Sequence, residues 1–222
     1  MKNAPKKSMA HVRYKDSQGN LVPGATTICN LLAKPQLIVW ANRLGLDGID
    51  STRYVDELSE IGTLAHTLIL HKHKGEIPDL KDYTDNQIDA AENCMNSYWA
   101  WEKNHTIEPI LMEEPLVSDE MQYGGTLDMY CKLDGVHTLL DFKTGKALYP
   151  EHTYQLAAYR ELLTEQGYPV ERCMILRIGR DMGEGFEVHE GKDMDTAFAI
   201  FRHLLGIYHT TRYYWKEQNK NK

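Results

Sequence analysis

The sequence predicts an α/β fold, a mixed β-sheet flanked by helices. Two observations carry this reading. Apolar residues recur with helical spacing at both ends of the chain but switch toward period two in the middle. The resulting order is helices, three strands, a helix, two strands and a helix, which suits an α/β core with a mixed sheet.

Each element follows from local patterning. Residues 1–9 and 216–222 are charged or polar without periodicity and are predicted to fray. The whole chain, 1–222, is expected to be one domain, with 10–50 as an N-terminal elaboration. Residues 12–22 place apolar positions around Ser17-Gln18-Gly19-Asn20, a hairpin signal. A threonine ahead of Ile28, Leu31 and Leu32 predicts a capped short helix, ended by Pro35. A second helix carries Leu37, Trp40 and Leu44 and stops at Gly45 or Gly48. Helices are predicted over 53–73 and 85–104, strands over 107–117, 123–133 and 136–142. Pro150 opens a helix that Gly167 closes. Strands over 170–178 and 186–189 and a helix over 193–215 complete the chain. No internal repeat or low-complexity linker interrupts it.

Bulk properties narrow the function. Lys and Arg number 25 against 32 Asp and Glu, a net charge of −7. That balance argues against a protein that coats nucleic acid through bulk electrostatics. It leaves room for an enzyme with a local basic groove around a few carboxylates. No apolar run approaches the ~20 residues of a membrane span, and the polar start is no secretory signal. An intracellular, cytoplasmic protein, in a host cell's cytoplasm if phage-borne, is expected. Cys29, Cys94, Cys131 and Cys173 are scattered, as reduced buried thiols are.

The chemistry concentrates between Gly124-Gly125-Thr126-Leu127-Asp128 and Asp141-Phe142-Lys143-Thr144-Gly145. Asp134-Gly135 between apolar neighbours is a two-residue hairpin turn. Leu133 then faces Val136, and the same count sets Asp128 across from Asp141 and Thr126 across from Lys143. Asp141 and Lys143 share one strand face while Phe142 points into the core. Two facing carboxylates repel and are held comfortably only with a cation between them. Hard oxygen ligands suit Mg²⁺, which takes a couple of carboxylates and leaves positions for water and phosphate. A lysine beside them can hold or deprotonate a water or stabilise developing charge. A solvated strand face with chance acids is the alternative; the register and the adjacent glycines, which let a substrate backbone approach, weigh against it.

Further residues extend the pattern. His66 closes Gly62-Thr63-Leu64-Ala65-His66 on the helix before the sheet, and Gln155 and Tyr159 lie four apart on the helix after Lys143. The glycine implies close approach of something to the His66 face, because glycine within a helix costs about 1 kcal/mol relative to alanine. In order, these motifs resemble the PD-(D/E)XK nuclease superfamily and its RecB-like branch, well over about residues 60–160. Residues 22–28, with Lys34-Pro35 and Trp40, resemble the N-terminal part of phage-type and mitochondrial genome-maintenance exonucleases of that branch.

The resemblance implies a restriction-endonuclease-like core and a metal-dependent DNA nuclease of the kind used in repair and recombination. It implies that Asp128, Asp141 and the Phe142 carbonyl bind Mg²⁺, with Mn²⁺ substituting, and that His66 is a further ligand or orients the metal's water. Lys143 would position and activate the attacking water. Gln155 and Tyr159 would organise the site and touch the DNA backbone. Glu114 resembles a structural acid upstream of the G-x-x-D strand. Some relatives hold an iron–sulfur cluster on a late cysteine group; Cys173 has none after it, so no cluster is expected.

Other candidates are weaker. Thr144, Lys146, Arg53 and His152 flank the predicted site and could meet phosphates, or be ordinary surface groups. His71 and His73 read as a solvated helix end. Tyr98, Trp99 and Trp101 could stack on bases, but aromatics at helical spacing more often fill a core. The function expected is hydrolysis of DNA, as an exonuclease preferring single strands or ends. The rivals are an endonuclease of the same superfamily and a non-catalytic DNA-binding module of the same fold.

Overall fold

The structure, a computed structural model, describes residues 12–220, so the predicted frayed segment 1–9 lies outside it. The chain begins with the expected hairpin, β1 (Tyr14–Lys15) and β2 (Leu21–Val22). Asp16 fixes its turn by accepting from the N–H groups of Gln18 and Asn20, and Gly19 takes positive φ. Helix α1 (Ala25–Cys29) follows. Its N-cap is Gly24, without a side-chain cap, rather than a threonine. Pro35 does not end this helix; it opens α2 (Pro35–Leu46), where its missing N–H is no loss. None of the α2 side chains is buried.

Two long helices form one layer. Helix α3 (Ser51–Lys74) starts at Asp50, whose carboxylate accepts from the N–H groups of Thr52 and Arg53, and stops at left-handed Gly75. Helix α4 (Asp85–Glu102) starts with a Thr84–Gln87 capping box.

Five strands follow: β3 (Ile107–Ser118), β4 (Tyr123–Leu133), β5 (Val136–Thr144), β6 (Arg172–Ile178) and β7 (Phe186–Glu190). They lie side by side in chain order. Helix α5 (Pro150–Glu165) joins β5 to β6 as a crossover, so that pair alone is parallel and the sheet is mixed. Helix α6 (Met194–Lys220) runs past the predicted end at 215.

Helices cover both faces. Leu139 and Ile175 pack with α1, α5 and α6; Leu140, Phe142 and Leu176 pack with α3 and α4. All four cysteines are free and buried. Tyr98 is fully buried beside Phe142, so it is core. His73 is held by the Tyr98 hydroxyl at 2.7 Å and is largely enclosed, not solvated. No helix among the described residues is long and apolar enough to cross a membrane.

Candidate active site

The site lies where β4 and β5 part. Asp134 and Gly135 both take positive φ, the conformation of a type I′ turn. The register is the predicted one from Leu133↔Val136 to Met129↔Leu140. The ladder stops there, one pair short of Asp128 and Asp141. Along β4, Leu127 packs on the α5 side but Met129 on the α3 side, so the alternation breaks at Asp128. Its side chain reaches toward β5 instead, and Oδ2 accepts the Phe142 N–H at 2.7 Å. The carboxylate thus replaces a backbone ladder bond. Thr126 does not face Lys143: it pairs with Pro115 on β3, and its hydroxyl meets that of Tyr14 at 3.0 Å.

Both helical layers send groups into this opening. From α3, His66 Nδ1 lies 3.2 Å from Asp128 Oδ1, and its ring sets edge-on to Phe142. From α5, Gln155 Nε2 donates to the Tyr159 hydroxyl at 2.6 Å and to Thr26 Oγ1 at 2.9 Å. Asp141 is almost fully buried, and Lys143 Nζ lies 2.6 Å from its Oδ2. Beyond that ammonium, the buried Asp141 Oδ2 has no hydrogen-bond partner among the described residues.

The glycines serve the fold. A Cβ on Gly125 would overlap the Tyr159 ring, and one on Gly124 would lie 2.6 Å from the Tyr14 ring. These positions were expected to admit a substrate backbone; they admit two aromatic rings of the chain itself. Gly62 behaves likewise, since a Cβ there would sit 2.7 Å from Thr144 Oγ1. Thr144 therefore faces α3, on the side of Phe142, and not the side shared by Asp141 and Lys143.

Electrostatics separate the two carboxyls. Burial alone would raise Asp128, but the His66 charge and hydrogen bond, Lys143 and the Phe142 N–H together hold it below the usual carboxylate range. Asp141 is pushed up to about 6 by burial and by repulsion from Asp128, against the pull of Lys143. Burial disfavours charge on His66, but the Asp128 carboxylate outweighs it and raises the imidazole. Lys143 is raised in the same way, by Asp141 and Asp128 against burial.

Among the described residues no group of three His, Cys, Asp or Glu side chains is spaced to hold a metal ion. A hexahydrate-forming cation such as Mg²⁺ needs fewer: one or two carboxylates, with water and phosphate completing its shell. Two carboxylates, one carrying a buried oxygen answered only by the Lys143 ammonium, fit that requirement.

A cleft of about 1520 Å³ opens beside the site, between the N-terminal hairpin with α1 and the α3 helix. Thr126 and Tyr159 line it, as do Thr26 and Arg53. Its charged lining is more acidic than basic: Arg13 and Arg53 against Asp56, Glu57, Glu60 and Glu113. Arg53 is exposed, with Asp50 at 3.9 Å. Lys146 lies apart, in a smaller pocket of about 380 Å³ with Tyr54 and Arg180. His152 Nδ1 accepts the Tyr149 N–H at 3.3 Å, and burial and Lys143 press its pKa down to about 4. Glu114 pairs with Leu127 across β3 and β4 and is exposed. Sequence reasoning missed Tyr14 and Thr26. Their signal was indirect: side-by-side glycines in a strand require something large against them.

No protein-family model matches the sequence, and no curated protein matches it. Among solved structures, the chain is similar to an alkaline exonuclease from Laribacter hongkongensis, with 12% identity over 72% of this chain and 85% of that one, at a TM-score of 0.37. The same enzyme in complex with dAMP is similar with 12% identity over 75% and 92%, at a TM-score of 0.38.

Proposed function

We propose that the chain is a divalent-metal-dependent nuclease that hydrolyses DNA phosphodiester bonds, acting at ends and preferring single strands. One observation carries this reading: Asp128, Asp141 and Lys143 converge where the β4–β5 ladder opens, with a buried Asp141 oxygen that has only the Lys143 ammonium beside it. Asp128, Asp141 and the Phe142 carbonyl would hold Mg²⁺ or Mn²⁺, which supplies Lewis acidity toward a phosphoryl oxygen. His66 orients Asp128 and keeps it ionised. Lys143, kept protonated by the two carboxylates, would position the attacking water and stabilise developing negative charge. Gln155 donates to the Tyr159 hydroxyl and so orients it, leaving the hydroxyl hydrogen of Tyr159 to donate to a phosphate oxygen. The preference for ends follows the N-terminal segment. Thr26 bonds Gln155, and Pro23 O accepts the Gly124 N–H at 2.9 Å, so 22–28 walls one side of the cleft.

Covalently closed circular single-stranded DNA and its linear form, incubated with Mg²⁺ and with EDTA, test this. Loss of the linear form alone, in Mg²⁺ only, is expected. Rapid cutting of the circle would establish an endonuclease, and cleavage in EDTA would remove the metal.

A further inference from the structure

Helix α6 continues beyond the body of the protein. After His209 nearly all of its described side chains are exposed, including Tyr213, Tyr214 and Trp215, the last 59% exposed. Exposed aromatics in a row are costly to leave in water without a use. Charge singles out the same stretch. Residues 205–222 carry Arg212, Lys216, Lys220 and Lys222 against Glu217, a net of +3, so the remaining 204 residues carry −10 of the total −7. The helix also connects to the candidate site, because Tyr208 lines the same cleft as Thr126 and Tyr159. Arg212 donates to the Tyr208 hydroxyl at 2.7 Å and lies over its ring at 5.5 Å. Tyr208, Arg212 and Trp215 fall at i, i+4 and i+7, one stripe about 10 Å long at 1.5 Å per residue.

We infer that this stripe is a platform for an unpaired nucleic-acid strand, which it leads into the cleft. Aromatic faces stack on bases without regard to sequence, and cationic groups between them meet the phosphates. The acidic cleft gives the platform a purpose. Attraction of the strand has to come from outside it, and Arg212 and Lys216 lie on the same helix as Tyr208 of its wall. The inference rests on the nuclease reading for the fate of the strand, but binding is measurable without cleavage.

The test is fluorescence anisotropy with labelled oligothymidylates of about 6 and about 20 nucleotides in EDTA, lengths below and above what one platform plus a cleft spans. The wild-type protein should bind the longer one at least about tenfold more tightly, the scale of one aromatic stack. Trp215→Ala and Arg212→Ala should each lose most of that gain, and Trp215→Phe should keep it. These positions are exposed, so an unchanged melting temperature certifies the fold. A length-dependent gain unaffected by either alanine variant overturns the platform. So does a gain-neutral effect accompanied by a change in sedimentation, which would assign the stripe to a second copy of the chain. If the platform behaves as described but DNA is never cleaved in Mg²⁺, the hydrolytic reading falls and the platform stands; cleavage with variant-insensitive binding gives the reverse.

Discussion

At the scale of residues, the site depends on a broken pattern. Asp128 would sit in an ordinary ladder if β4 kept its alternation; it instead turns toward β5 and takes the Phe142 N–H. That places an ionised carboxylate beside buried Asp141 and gives Lys143 two acids to answer. Lys143→Ala should lower the cleavage rate on the order of 10²–10³-fold, the usual range for removing a group that stabilises transition-state charge, with DNA affinity in EDTA nearly unchanged. A rate within a few-fold of wild type would remove Lys143 from the chemistry. Gly125 has a different task. Gly125→Ala should cost about 1–3 kcal/mol in urea unfolding because the new methyl meets the buried Tyr159 ring. The cost should shrink in a Tyr159→Ala background, since the two positions share one space. Additive losses would show that the ring is not what the glycine accommodates.

At the scale of elements, stability resides in caps and turns that the chain announces. Thr84→Ala removes the hydroxyl that accepts the Gln87 N–H and should cost about 0.5–2 kcal/mol, measured as a shift of the urea midpoint. Asp134-Gly135 was legible for the same reason: few dipeptides adopt two positive φ values, so turn, length and register followed together. Gly62 was legible as a close approach, though not what approached it. What could not be read is where a ladder ends. The count that puts Asp128 opposite Asp141 assumes pairing all the way, and only the packed layers show β4 and β5 separating after Met129. Pro35 illustrates a second limit. Proline both ends and opens helices, and it ended the predicted α1 while it opens the observed α2. The wall that Tyr14 and Thr26 build was hidden because it joins residues more than a hundred positions apart.

At the scale of the whole molecule, two enclosed histidines set an acid limit. His73 is pushed down to about 4 by burial and by Lys72, and His152 to about 4 by burial and by Lys143. The nearest acid to His73, Glu102, is itself matched by Lys72. In the unfolded chain both would titrate near the ordinary histidine value of about 6.5. The folded values are lower, so the unfolded state takes up protons first as pH falls. Stability should therefore be full above about 6.5, decline between there and about 4, and lose no more from these two groups below that. Urea midpoints across this window should fall, and His73→Gln should flatten the slope; a slope indifferent to that change would contradict the assignment. With a net charge of −7 over the molecule, the proposed attraction of DNA would be a local affair of a metal at the site and of helix α6 rather than of the body. The most direct measurement is the release of label from end-labelled single-stranded DNA in Mg²⁺ by the wild-type chain and by Asp141→Asn, side by side. The wild type should degrade the strand and stop when EDTA is added, and the variant should be slower by on the order of 10³-fold. Equal rates in the two proteins, or no release by the wild type, would contradict a hydrolytic centre at the β4–β5 opening.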